Sequence, residues 1–504
     1  MPFGEPPSDE SSSPGDEHSP NRRIGLVRGG AILLEQDGFR LLGGGGRKRS
    51  KLYPYESMTH VYAGDRTLLI GLTTGILTIR NRDFRDPEED PKEVRRVLLA
   101  RLADRPDGEH WIEEMADVDR LGDRNAPNLV TWATVALCVL GTWFQFRDPL
   151  VEQIGAFVPD LFARGEYWRA VTAHFLHGLS AAPALVTFFF GNIVALPFHL
   201  SINVGGLLVL GHLVERPLGS WRTAIVLAFG GIGTMVGVIF AEHFEVIGAS
   251  GLVSAFAGAI LAIELNYPAS LPSYWRLPRR LFIAAVILQF FVIDQLLSSY
   301  VAGGAHIGGF TGGFLAAWLL GRPSFESLVP TSRLRFSTYC AIAVLILGIL
   351  GALPLTRHDI GALERHAARL MNMPATVNLY QHENAAAWFI ASDDGASPLG
   401  LELAVALADR AVASTNRMHP GILDTLAEAL FQKGNRLGAL LTIDEAIRLM
   451  PNEAYFMEQR RRFTGERPAD DRPPPPGSKG EGAAPPGEGF EPRPIDPDAP
   501  YLTI

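Results

Sequence analysis

The sequence has almost no cysteine: two residues, Cys138 and Cys340, in 504. Both lie inside apolar runs, which excludes a disulfide framework and a cysteine-based zinc site, and no metal or other cofactor is expected. Charge is also scarce, with 20% Asp, Glu, Lys and Arg against 47% hydrophobic residues, and the net charge is −9. That balance excludes a globally basic nucleic-acid binder, so no nucleic-acid partner is expected. The first twenty residues are polar, with no apolar h-region, so no cleavable signal peptide is expected. A mean hydropathy of +0.12 is too high for an ordinary soluble protein and too low for a chain that is membrane throughout. Polar and apolar blocks must therefore share a length that allows roughly two to four domains.

Residues 1–22, rich in Pro, Ser, Asp and Glu, read as disordered. Residues 23–105 turn globular. Strand-length stretches recur there at Ala31 to Leu34, Thr67 to Ile70 and Gly75 to Ile79, separated by Gly and Asp. Asp90-Pro91 then opens an amphipathic helix with Val94, Val97, Leu98, Leu99 and Leu102 on one side. Short strands closed by one helix resemble the pleckstrin-homology/GRAM-like superfold, placed in the cytoplasm. Residues 106–126 read as a linker.

Residues 127–356 are a membrane block, with charge-poor runs at 127–146, 178–214, 223–241, 246–263, 281–293, 295–321 and 336–356. Most reach the roughly 17–25 residues that a spanning helix needs. The run 281–293 is short and is expected to extend past Asp294 or to sit in a thinned region of the bilayer. Lys and Arg mark alternate connections, at Arg216 and Arg222, at Arg276, Arg279 and Arg280, and at Arg322, Arg333 and Arg335. Those connections should face the cytoplasm, with the N-terminal domain inside and the C-terminal domain on the outer, periplasmic side of a cell (inner) membrane. Residues 357–465 are soluble and helical, and Leu423 to Pro451, with small residues at Ala427, Ala439 and Ala446, resembles a tetratricopeptide repeat. Ala404 and Ala411 mark an earlier copy, and the repeats are a surface on which protein partners are expected. Residues 466–504 read as a disordered Pro-rich tail.

Two motifs in the membrane block carry chemistry. Gly248-Ala249-Ser250-Gly251 opens one apolar run, and Ala305-His306-Ile307-Gly308-Gly309 opens another. Both runs begin on the deduced outer side. A serine hydroxyl is a weak nucleophile until a base accepts its proton, and histidine is the usual base near neutral pH. Gly251 with Ala255, and Gly309 with Gly313, form small faces at i,i+4 spacing that let two membrane helices approach closely. The Gly-x-Ser-Gly motif alone would read as helix packing, and a lone intramembrane histidine is structural about as often as functional. Together, at one depth, they point to a site in which Ser250 meets His306.

These residues resemble the rhomboid intramembrane serine proteases, over about residues 165–320. Trp168-Arg169 resembles the family's loop element. His199 and Asn203 match its His-x-x-x-Asn, Glu215-Arg216 its inner turn, and the two motifs above its nucleophile and histidine motifs. The resemblance implies a mainly α, polytopic fold: a six-helix bundle, here with a seventh transmembrane helix, a small β-rich N-terminal domain and an α-helical repeat C-terminal domain. It implies that Ser250 attacks the scissile carbonyl of a transmembrane protein substrate in the lipid bilayer, that His306 is the base, and that the pair is a dyad without a carboxylate. Asn203, His199 and the Ser250 backbone N–H would hold the oxyanion. Trp168, Arg169, Glu215, Arg216, Gly248, Gly251, Gly309 and Gly313 would be structural, Glu215 and Arg216 as a local ion pair.

Two features depart from the family pattern. A long apolar insert, Leu179 to Phe198, separates His177 from His199 and reads as a half-inserted helix or re-entrant loop in the outer leaflet. Ser254 stands where an aromatic residue often packs on the catalytic histidine, with Phe256 or Phe310 as substitutes. His174 and His177 could be read as metal ligands, but no third ligand is apparent. The cluster Arg47-Lys48-Arg49-Ser50-Lys51 could touch anionic lipid or simply be solvated. The run Gly43 to Gly46 lacks the Lys-Ser/Thr of a phosphate loop. The rival to a protease is a catalytically inactive rhomboid-like membrane scaffold or adaptor.

Overall fold

The computed structural model describes residues 22–43, 51–64, 66–123, 127–148, 150–177, 198–267, 271, 277–296, 301–374 and 379–474. The expectations for residues 1–21, Gly44 to Ser50, the insert up to Pro197 and residues 475–504 lie outside the described residues.

Short strands follow one another where β-branched and aliphatic residues are punctuated by Gly and Asp turns. Strands β1 (Arg22–Gly25), β2 (Ala31–Leu34), β3 (Gly38–Leu42) and β4 (Leu52–Pro54) form one antiparallel sheet in that order. A second sheet holds β5 (Met58–Ala63), β6 (Thr67–Leu72) and β7 (Gly75–Arg80). Helix α1 (Asp90–Ala103), with Pro91 in its first turn, buries Val94, Leu98 and Leu102 against Ile32, Phe39, Leu68 and Ile70. The segment 106–126, expected as a linker, instead holds helix α2 (Gly108–Asp123). The reason is its apolar stripe: Met115 joins the core of the β domain, and Val118 and Leu121 are also buried.

Among the described residues seven apolar helices follow. They are α3 (Leu129–Arg147), α7 (Phe198–Leu218), α8 (Ser220–Phe240), α9 (Ser250–Asn266), α10 (Arg279–Leu288), α11 (Gly303–Leu320) and α12 (Ser332–Thr356); the short helices α4 (Leu150–Gly155), α5 (Pro159–Ala163) and α6 (Arg169–Thr172) lie between α3 and α7. Among the described residues three stretches, 129–147, 198–240 and 332–356, are long and apolar enough to cross a membrane on length and composition. Gly219, at φ +76°, makes the break between α7 and α8 that a side chain would oppose. Helix α10 extends through a π turn (Gln289–Ile293) to Leu296. Large apolar side chains point outward from the bundle, among them Leu129, Ile232, Phe291, Leu319 and Leu347. In water that arrangement would be unfavourable; in lipid it is the ordinary exterior.

Glu215 fixes how the bundle is closed. Its carboxylate, 1% exposed, accepts the backbone N–H groups of Val130 and Thr131, each at 2.9 Å, and the Ser220 hydroxyl at 2.7 Å. An anion on the first-turn N–H groups of α3 satisfies donors that lipid cannot, and it ties the start of α3 to the end of α7. The two helices are therefore antiparallel. His177 and His199 lie at one end of the bundle, with their rings 5.1 Å apart.

The two polar domains sit at opposite ends. Helix α2 reaches the end carrying Glu215, where Glu114 pairs with Arg322 at 2.6 Å. The C-terminal helices are α13 (Ile360–Met371), α14 (Tyr380–Ala391), α15 (Pro398–Ser414), α16 (Pro420–Gln432), α17 (Arg436–Leu449) and α18 (Ala454–Thr464). They pack as successive pairs, with Ala404, Ala411, Ala427, Ala439 and Ala446 fully buried where helices approach. Their core is continuous with Leu150, Ile154 and Leu161 of the loop between α3 and α7. Residues 466–474, expected in the disordered tail, run back along this domain. Arg472 reaches the buried Glu428 carboxylate at 3.0 Å and holds them there.

Candidate active site

Ser250 is the first residue of α9, and His306 lies in the first turn of α11. The helices meet backbone to backbone: a methyl group at Gly309 would overlap the Gly251 carbonyl, and one at Gly313 would overlap that of Ala255. Ser250 adjoins the first contact and His306 lies one turn before it, so both side chains belong to one end of the same helix pair. That is the end bearing the α3–α7 loop and the C-terminal domain. Thr234 of α8 fills the space beside Gly251, which makes a three-helix centre of α8, α9 and α11.

Opposite stands α7. Gly248 adopts φ +122°, and a Cβ there would lie 2.7 Å from the His199 ring and 3.7 Å from Asn203 Nδ2. Glycine is needed both for the backbone angle and for this approach. His199 is half-buried and Asn203 is 3% exposed. Among the described residues Asn203 Nδ2 has no hydrogen-bond partner. A buried orphan donor is costly in an apolar bundle. Here it faces the loop that carries Ser250, where a developing anion would be.

His306 is 8% exposed, and its Nδ1 lies 2.9 Å from Oδ2 of Asp294, itself 1% exposed. The dyad pattern leaves no place for this carboxylate, which in the sequence only interrupts an apolar run. The available signal was an ionisable residue inside a span, which is rarely without purpose. The substitutes considered for the missing aromatic behave differently. Phe256 packs toward Gly211 of α7, while Phe310 meets Phe290 edge-on at 5.3 Å.

The loop between α3 and α7 is pinned by the Trp-Arg element. Arg169 is fully buried; its Nε donates to Glu166 at 2.6 Å and its Nη1 to the Gln153 and Ala156 carbonyls, each at 2.7 Å. Trp168 Nε1 donates to the Ile154 carbonyl at 3.0 Å. Phe157 pairs with Val246 through two 3.0 Å backbone bonds, which joins this loop to the connection before Ser250. Arg216 lies in the last turn of α7, and the Glu215 bonds described above run to α3 and Ser220. The His174 and His177 rings face different neighbours, Gly231 of α8 and His199 of α7 respectively.

Residues 164–323 match the family model described as Rhomboid domain. The chain is 30% identical over 177 residues to "Rhomboid protease GluP" of Bacillus subtilis (strain 168), covering 34% of this chain and 29% of the relative. It is 28% identical over 174 residues to "Inactive RHOMBOID-like protein 8" of Arabidopsis thaliana, covering 33% and 42%. It is 27% identical over 181 residues to "RHOMBOID-like protein 1" of the same plant, covering 35% and 40%. The chain thus spans less than half the length of these relatives.

Proposed function

We propose that this rhomboid-family membrane protein, whose rhomboid domain spans residues 164–323, is an intramembrane serine endopeptidase. Its substrates are transmembrane segments that unwind near the outer surface. One observation carries the reading: Ser250 and His306 head two helices whose backbones touch at Gly251 and Gly309. Ser250 Oγ attacks the scissile carbonyl as His306 takes its proton. The oxyanion draws on Asn203, His199 and the Ser250 N–H, and His306 then protonates the leaving amine. The orientation rests on the arginines Arg222, Arg279, Arg280, Arg322, Arg333 and Arg335 at the Glu215 end. That end is cytoplasmic and the catalytic mouth and helical repeats are outside. The repeats, read as tetratricopeptide-like, present a surface for protein partners beside that mouth.

The rival, a scaffold without turnover, is favoured by the similarity to a relative named inactive. Cleavage of a model transmembrane substrate in liposomes separates the two. Ser250→Ala and His306→Ala should each lower kcat by at least about a thousandfold while the protein still folds. Turnover near wild type in either variant overturns the protease reading, as does a wild-type protein that cuts nothing.

A further inference from the structure

Asp294 is a carboxylate in the apolar core of the bundle, where an unpartnered charge is prohibitive. Both of its oxygens are engaged. Oδ2 lies 2.9 Å from His306 Nδ1, and Oδ1 accepts Gln289 Nε2 at 2.8 Å. The backbone is built for this. Gln289 and Asp294 are five residues apart, a spacing that an ordinary α-helix splays onto different faces. The π turn Gln289–Ile293 runs its bonds from i to i+5, and Asp294 N–H donates to the Gln289 carbonyl. The two side chains are thereby stacked. Gly303 completes the seat: a Cβ there would lie 3.6 Å from Asp294 Cβ and 3.9 Å from Oδ2, so the first turn of α11 closes directly over the carboxylate. Phe290 and Phe310 pack edge-on one turn deeper along the same helix pair.

We infer that Asp294 is a third member of the hydrolytic apparatus, a positioning residue that makes the expected dyad a Ser-His-Asp array. The inference rests on the serine-protease reading above. An acceptor on Nδ1 fixes the imidazole proton there and leaves the Nε2 lone pair free for Ser250. As Oγ bonds to the scissile carbon, the carbonyl π pair moves to oxygen and the Oγ proton passes to Nε2. The resulting imidazolium faces an ionised carboxylate. That Nε2 proton then leaves on the amine as the C–N bond breaks, and Asp294 remains ionised throughout. Asp294 also does for His306 what the absent aromatic at Ser254 would do by packing: it sets the ring's orientation, from α10 instead of from α9.

The test compares Asp294→Asn, Asp294→Glu, Gln289→Leu and Ser250→Ala in the full-length protein, with kcat, KM and melting temperature measured together. An Asn at 294 would donate to Nδ1 and force the wrong tautomer. Asp294→Asn should therefore lower kcat at least about a hundredfold, toward the ~10⁴ seen when such an aspartate is neutralised elsewhere, with KM within about twofold. Asp294→Glu should restore at least about tenfold of that loss, because the acceptor returns even if its reach is imperfect. Gln289→Leu removes one of the two bonds that aim the carboxylate and should lower kcat by about tenfold; it carries the test if Asp294→Asn does not fold. Inert Ser250→Ala with wild-type kcat in Asp294→Asn overturns this inference alone. So does a lowered melting temperature with normal activity of the folded fraction, or a folded Gln289→Leu at full kcat. An active Ser250→Ala overturns the serine-protease reading itself.

Discussion

Asn203 is a buried amide donor with no partner among the described residues, aimed at the Gly248 loop. A residue kept for packing would have its N–H groups satisfied, because an orphan donor destabilises the fold it sits in. A residue kept for the transition state has a reason to wait unpaired. Asn203→Ala should therefore lower kcat by roughly a hundred- to a thousandfold, with little change in KM and no loss of melting temperature. A destabilised variant with normal kcat would contradict the oxyanion role. As candidates, Ser250, His306, His199 and Asn203 are legible in the sequence because each lies in a short contiguous motif. Asp294 is not, because it lies twelve residues before His306 in another helix, and only the π turn and the fold bring the two together.

Helix-to-helix contact in the centre of the bundle depends on glycine positions that differ sharply in what a methyl group would meet. At Gly313 it would overlap the Ala255 carbonyl, and at Gly205 it would meet nothing within 4 Å. Gly313→Ala should cost about 1–3 kcal/mol by forcing α9 and α11 apart. Gly205→Ala should be neutral or stabilising by up to about 1 kcal/mol, since it only improves helix propensity. Thermal unfolding in detergent compares them, and equal melting temperatures would contradict the backbone-contact geometry. The small-residue pattern makes this pairing readable in advance, as runs of apolar residues do for the apolar helices among the described residues. Helix α2 has few apolar residues, and they find their partners on the β domain, which local pattern does not reveal.

Across the whole molecule, the C-terminal domain docks on the end of the bundle that bears Ser250 through three histidine–carboxylate pairs. They are His358 with Asp148 at 2.7 Å, His366 with Glu166 at 2.7 Å, and His382 with Glu245 at 3.4 Å. These partners lie some 140–210 residues apart in sequence, and nothing local marks them. The hydrogen bond to Asp148 raises the His358 pKa against the opposing effect of burial, with the charges of Asp148 and Asp393 adding to it. Its contribution to docking is complete below the ordinary value of 6.5 and is lost as pH rises through the raised value. Burial pushes the Glu166 carboxyl up, but the charges of His366 and Arg169 outweigh it and hold the group well below its ordinary 4.5. Its contribution is present above 4.5 and is lost only in strong acid. Docking should thus be firmest between 4.5 and 6.5. Hydrogen exchange in α13 should be slower at about pH 5.5 than at about pH 8.5, after correction for intrinsic rates, and Asp148→Asn should shrink the difference. Equal protection at both values would contradict the pairing.

The central claim is that Ser250 is an activated nucleophile, and a fluorophosphonate probe on the purified full-length protein tests it most directly. Labelled peptide mapping should find the adduct on Ser250 alone, and His306→Ala should abolish it. Absence of any adduct on the folded protein, or an adduct on another serine that persists in Ser250→Ala, would contradict the account.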